Sequence, residues 1–193
     1  MNNGENNPYE PSFPLRVEKQ GQVLIQWDHK GSKYLYSQPR FYGKPLGARK
    51  IRPEGIELPF TYSFFEACYL LSNSIIEVFE ENKKIDFDYL MDFCKHNYEN
   101  FHDNFLIYQH FRSLNYVVRP GMKFGSEFIV YSTGPGIDHA EYVIHILHDH
   151  EKIRTFDLVK AGRLAGTVKK IFLLAYISKE GSPEFLQLDR VKI

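Results

Sequence analysis

The spacing of apolar positions changes twice along the chain. After the polar opening "MNNGENNPYEPSFP", the stretches "QVLIQWDH" (22–29) and "SKYLYS" (32–37) hold short apolar and aromatic blocks on either side of Gly31, a pattern that predicts two strands around a turn. "YGKPLG" (42–47) predicts a turn-rich loop, and the basic "ARKIRPEG" (48–55) follows it. From Thr61 the period becomes helical: in "TYSFFEACYLLSNS", Phe64, Phe65, Cys68, Tyr69 and Leu71 recur at 3–4 spacing, with Thr61 or Ser63 as N-cap. "SIIEVFEEN" continues that helix or starts another. "DFDYLMDFCKHNYENF" (86–101) and "NFLIYQHFRSLN" (104–115) are two further amphipathic helices.

The second half has the texture of a sheet. "YVVRPG" (116–121), "EFIVYS" (127–132) and "HAEYVIHIL" (139–147) predict strands, and "TFDLVKAGRLAG" (155–166) predicts a helix capped by Thr155. "KKIFLLAYI" (169–177) is a nearly unbroken apolar run, as expected of a strand buried on both faces, and "FLQLDRVKI" (185–193) is a last strand. The fold class is therefore an α+β N-terminal domain over 22–103, behind a polar tail over 1–21, and an α/β C-terminal domain with a small mixed sheet over 104–193.

Composition narrows the class without naming a function. No run of about 18 apolar residues is present, so no transmembrane helix is expected. The opening lacks the apolar core of a signal peptide. Cys68 and Cys94 lie in helical segments without C-x-x-C spacing, which fits two buried, reduced thiols in an intracellular protein. Net charge is zero, but its distribution is uneven: residues 1–61 carry +3, residues 62–110 carry −6 and residues 111–193 carry +3. Two mildly basic ends allow local phosphate contacts.

Three constellations are candidates for chemistry. His145, His148 and His150 in "HILHDHE" could hold zinc with Asp149 or Glu151 nearby, although surface histidines at a strand end fit the same pattern. "YGKPLG" has two glycines and a lysine but neither the G-K-[ST] ending nor a helix start directly after it, so a structural turn fits better than a phosphate cradle. The third is "VYSTGPGIDH". Tyr131 ends one strand and His139 opens the next across a Gly/Pro turn, and Lys169 and Lys170 open the central buried strand, so Tyr, His and Lys can meet at one sheet edge. Those three groups suit RNA cleavage by the RNA's own 2′-hydroxyl. That reaction needs a base for the hydroxyl, an acid for the leaving 5′-oxygen and a cation for the phosphate. A tyrosine, with a pKa of about 10, is a poor base unless a cation helps it ionise.

The wording of this region resembles the catalytic domain of the tRNA-splicing (tRNA-intron) endonuclease family. The features that carry the resemblance are a helix ending before "YVVRPG", the "KFG" turn, "VY" with "GP" and then "HAEY", and "RLAG" ahead of a basic pair that opens an apolar strand. It covers residues 104–193 well and 23–100 more weakly, through "YGKPLG" and "FFEACYLL". The resemblance implies a nuclease-like C-terminal domain and a cofactor-free, metal-independent lyase-type cleavage that leaves a 2′,3′-cyclic phosphate and a 5′-hydroxyl. It assigns Tyr131 as general base, His139 as general acid and Lys170 as the cation. Lys169 is the fallback, since neighbours on a strand face opposite sides and only one of the pair can point at the site. Arg163, in "RLAG", and Arg190, in the last strand, correspond to the arginines that hold a flipped base across a subunit interface.

The same resemblance implies intron-containing pre-tRNA as substrate and an assembly of four domain pairs, in which the last strand joins subunits and an acidic loop docks them. Here the corresponding loop, "SKEGSPE" (178–184), offsets Glu180 and Glu184 with Lys179. That weakly acidic loop points to a second, structural subunit in a heterotetramer, with a homotetramer still open. The alternative is a non-catalytic paralogue of the same complex, expected to have lost Tyr, His or Lys. The lack of a long basic run favours a cytoplasmic enzyme of archaeal type, with a nuclear location if the source is eukaryotic.

Overall fold

The structure, a computed structural model, describes residues 11–47, 59–148, 159, 162–163 and 170–188. They fall into two compact units, with the chain dividing between Asn97 and Tyr98. Among the described residues no helix is long and apolar enough to cross a membrane.

Among the described residues, the first unit is a six-stranded sheet with three helices. Its strands are β1 (Leu15–Gln20), β2 (Val23–Gln26), β3 (Lys44–Pro45), β4 (Phe60–Tyr62), β5 (Ile76–Glu80) and β6 (Lys83–Ile85), in the order β3-β4-β2-β1-β5-β6. The helices are α1 (His29–Tyr36), α2 (Phe64–Ser72) and α3 (Phe87–Asn97). Three local expectations need correction. The segment expected to be a polar tail as far as residue 21 contains β1, whose Leu15 and Val17 are buried and which pairs in parallel with β5. "SKYLYS" is helical: the Asp28 carboxylate accepts from the N–H groups of Lys30 (3.0 Å) and Gly31 (2.9 Å), and the buried positions are 31, 32 and 35, one helix face and not alternate residues. "SIIEVFEEN" is a strand, because Ile76 and Val78 are buried while Glu77 and Phe79, which alternate with them, are only half-buried, which is the period of a pleat.

Ser63 is the N-cap of α2, with a reciprocal capping box to Glu66. The buried Glu66 carboxylate also accepts from the Gly43 N–H at 3.0 Å, which ties the "YGKPLG" turn to the helix start. Gly43 has φ +74°, and a Cβ there would come within 2.9 Å of the Tyr62 ring, so this glycine is required by the turn.

Among the described residues, the second unit has a five-stranded mixed sheet in the order β11-β10-β9-β8-β7. Its strands are β7 (Val117–Pro120), β8 (Phe128–Tyr131), β9 (Tyr142–Leu147), β10 (Ile171–Ile177) and β11 (Pro183–Leu188). All neighbours are antiparallel except β9 and β10. α4 (Phe101–Ser113) starts a few residues earlier than its sequence pattern suggests and packs on one face: Tyr108 lies 5.9 Å from Phe128, and Phe111 lies 6.2 Å from Tyr142 and 5.2 Å from Phe185. The opposite face holds a second apolar cluster of Val143, Phe172 and Leu174, flanked by Ile129, Leu147 and Leu188. Apolar groups on both faces explain why β10 reads as a continuous hydrophobic run.

Candidate active site

The register of the second sheet decides which side chains can meet. Val117 pairs with Tyr131, Val130 with Tyr142, and Ile171 with Tyr142. Beyond the last ladder pairs, the Glu141 N–H donates to Val130 O (2.7 Å) and the Ile171 N–H donates to Glu141 O (2.9 Å). Extending each pairing by one residue puts Tyr131, Glu141 and Lys170 in one row. Since side chains alternate between faces, that row lies on the face away from α4. The Lys170 ammonium donates to the Ala140 carbonyl at 2.9 Å, one peptide from His139.

The loop that links β8 to β9 holds Tyr131 and His139 at its two rims. It is clamped from inside by Asp138, whose Oδ2 accepts from the Thr133 N–H at 2.7 Å and whose Oδ1 accepts from the Gly134 N–H at 2.9 Å. The N–H groups of Ile137 and Asp138 both donate back to Gly134 O. Gly134 supports this turn with φ +146°, a region that side chains other than glycine disfavour. At the outer rim the Ser132 hydroxyl donates to Glu141 Oε2 at 2.6 Å. His139 is exposed just before the strand instead of within it, and Tyr131 is half-buried at the strand end. The structure therefore brings Tyr131 and Lys170 into one row and leaves His139 on the loop beside the carbonyl that Lys170 grips.

Electrostatics at these strand ends are opposed. Burial pushes the Tyr131 phenol above its ordinary value of 10.0; Arg119 pulls it down and Asp138 pushes it further up, with a net rise. Partial burial also disfavours the Asp138 carboxylate, but the N–H groups of Gly134 and Thr133 outweigh it and hold Asp138 below the usual carboxylate range. The Tyr142 phenol is pushed up, first by its hydrogen bond to Glu141 and then by burial. Glu141 is thus engaged by Ser132 and Tyr142.

Arg163 is exposed on helical backbone. Lys169, Arg190 and His150 lie outside the described residues. The other two histidines of the proposed cluster go separate ways: His145 Nδ1 faces Glu127 at 3.1 Å, and the buried His148 faces Asp103 on α4 at 3.7 Å. Among the described residues no three metal-ligating side chains are gathered. Two residues of this region escaped the sequence reasoning, Arg119 and Asp138. The "IDH" step after "GPG" is the kind of Asx turn that could have pointed to Asp138. Arg119 becomes visible only through the strand register.

Comparison with known proteins agrees over both units. Residues 16–91 match the tRNA intron endonuclease N-terminal domain, and residues 101–185 match the tRNA intron endonuclease catalytic C-terminal domain. The tRNA-splicing endonuclease of Hyperthermus butylicus is 32% identical over 170 residues, covering 88% of this chain and 93% of its own. Those of Pyrobaculum arsenaticum and Pyrobaculum islandicum are 36% and 37% identical over 169 and 164 residues, covering 86% and 83% of this chain and 92% and 89% of their own.

Proposed function

This chain belongs to the tRNA intron endonuclease family, and on that premise we propose that it is the catalytic subunit of a tRNA-splicing endonuclease, excising introns from pre-tRNA without a metal or cofactor. Tyr131, as phenolate, takes the proton of the 2′-hydroxyl at the cleavage site. The freed oxygen bonds to the adjacent phosphorus while the bond from phosphorus to the 5′-oxygen breaks. His139 gives its proton to that leaving oxygen. Lys170 offsets the charge that builds on the phosphate. The products are a 2′,3′-cyclic phosphate and a 5′-hydroxyl. Arg163 and Arg190 grip an unpaired base of the intron bulge, since guanidinium planes stack on bases that a bulge exposes. The active particle contains a second, structural subunit.

The observation that carries this reading is the row formed by Tyr131 and Lys170 across three strands, with His139 one residue from the carbonyl that holds Lys170. Tyr131 ends β8, His139 precedes β9 and Lys170 precedes β10, three adjoining strands, which supports giving them the three required chemistries. Its test is cleavage of an intron-containing pre-tRNA in excess EDTA, with end-group analysis, by the chain alone and with candidate partner subunits. Cyclic phosphate ends under EDTA are expected. Tyr131→Phe, His139→Ala and Lys170→Ala should each lower the single-turnover rate by roughly 100-fold or more while the protein stays folded and binds RNA. Bound but uncut RNA in every combination would make the chain a non-catalytic paralogue.

A further inference from the structure

A tyrosine base needs a cation, and the proposed reaction already assigns Lys170 to the phosphate. An ordinary phenol is ionised to only about one part in a thousand at pH 7, and the half-buried position of Tyr131 makes ionisation harder still. Lys170 spends a hydrogen bond on the Ala140 carbonyl at 2.9 Å, and its place in the proposed reaction is at the phosphate.

The strand register supplies another cation. Val117 lies directly opposite Tyr131, and Arg119, two residues on, lies opposite Ile129. Arg119 is thus the diagonal neighbour of Tyr131 on the same face. Such pairs stand roughly 7–8 Å apart, a gap that an arginine side chain spans. Arg119 is half-buried, so its charge is less screened than that of a solvated arginine. Among the described residues, the other charged or titratable groups around Tyr131 are Asp138 and His139 on the loop, Glu141 just before β9 and Lys170 just before β10. Asp138 is held by two backbone N–H groups, and Glu141 is held by Ser132. Of these groups, Arg119 is the cation whose field favours the phenolate, against burial and Asp138.

Resting on the reading of Tyr131 as base, we infer that Arg119 is a positioning residue for catalysis: it is the cation that assists loss of the Tyr131 proton, leaving Lys170 for the phosphate. The phenol proton goes to solvent before RNA is cut, and the phenolate then accepts the 2′-hydroxyl proton.

The test titrates the phenol without RNA. Protein carrying ring-labelled tyrosine is followed by NMR from about pH 8 to 11, a range that spans the ordinary phenol value, with the Tyr131 signal assigned by its loss in Tyr131→Phe. In Arg119→Met the Tyr131 signal should titrate at higher pH than in the parent protein, and in Arg119→Lys it should return most of the way. Single-turnover cleavage at neutral pH by Arg119→Met should fall roughly tenfold, the lower end of what a neighbouring opposite charge does to an ionisation, with Arg119→Lys again intermediate. An unchanged Tyr131 titration in folded Arg119→Met overturns the inference. Full-rate cleavage by Tyr131→Phe would instead overturn the assignment of the base, while leaving the effect of Arg119 on the phenol measurable.

Discussion

At the scale of single residues, the loop between β8 and β9 separates what sequence can and cannot reveal. Tyr131 and His139 stand out because the chemistry of their side chains and the turn between them are both local. Asp138 does not, because its carboxylate works through two backbone N–H groups of its own loop, a geometry with no periodic signature. Asp138→Ala should release the rim that carries His139. Cleavage should slow roughly 10- to 100-fold, as expected when a reacting group is displaced by about 1 Å, while RNA affinity measured by filter binding changes little. Asp138→Asn, which keeps one acceptor oxygen, should fall in between; equal losses in both variants would argue for the charge alone. The sign of the pH effect is fixed as well. The carboxyl of Asp138 is lowered in the folded protein, so the clamp's contribution is complete above the ordinary carboxylate value of about 3.9 and is lost only as pH falls through the lower, folded value. NMR signals of the Thr133 and Gly134 amides should therefore stay in their neutral-pH positions down to pH values where solvated carboxylates have already titrated.

At the scale of elements, legibility followed how one-sided each pattern was. α2 and α3 alternate clearly at 3–4 spacing, and β10 is apolar throughout because both of its faces are covered. α1 misled because its short aromatic run mimics a strand, and only the Asp28 cap and the buried Gly31 and Ser32 settle its helical path. β1 escaped notice because one of its inward groups is a lysine. Lys19 is buried, its ammonium 2.5 Å from Glu80 on β5 and 3.8 Å from the centre of the Phe93 ring on α3. Lys19 holds Glu80 below the usual carboxylate range, against partial burial and together with Tyr89. Since the lysine is the more buried partner, the two halves of this pair should respond unequally to mutation. Glu80→Ala strands a buried ammonium and should cost roughly 3 kcal/mol in urea unfolding. Lys19→Met keeps the apolar stem against Phe93 and leaves a carboxylate that water can reach, so it should cost about 1 kcal/mol or less. Equal costs would mean that the ammonium escapes to solvent when Glu80 is removed.

At the scale of the whole molecule, the exposed edge of the second sheet bears on assembly. β11 borders one side of that sheet, pairs only with β10 among the described strands, and leaves Leu186 54% exposed, an unusual residue for a strand edge that natural proteins tend to blunt with charge. The turn before it closes on itself: Ser178 and Ser182 share a backbone hydrogen bond of 2.8 Å, and the Gly181 N–H donates to Ser178 O at 2.8 Å. A loop folded this tightly, with Lys179 beside Glu180, presents little acidic surface for docking another pair of domains. Under the proposed assembly, then, one contact is available from this chain and the other must come from a partner. The chain alone should run as a monomer or dimer in sedimentation, bind pre-tRNA weakly and cut it slowly. Adding a structural subunit with an acidic loop should give a tetramer, and cleavage should rise with it. Leu186→Lys should prevent that rise, because it places a charge on the joining edge and separates the arginines from the neighbouring site they are proposed to serve. A fully active tetramer formed by this chain alone would show that the loop docks despite its lysine, and the partner would drop out of the mechanism.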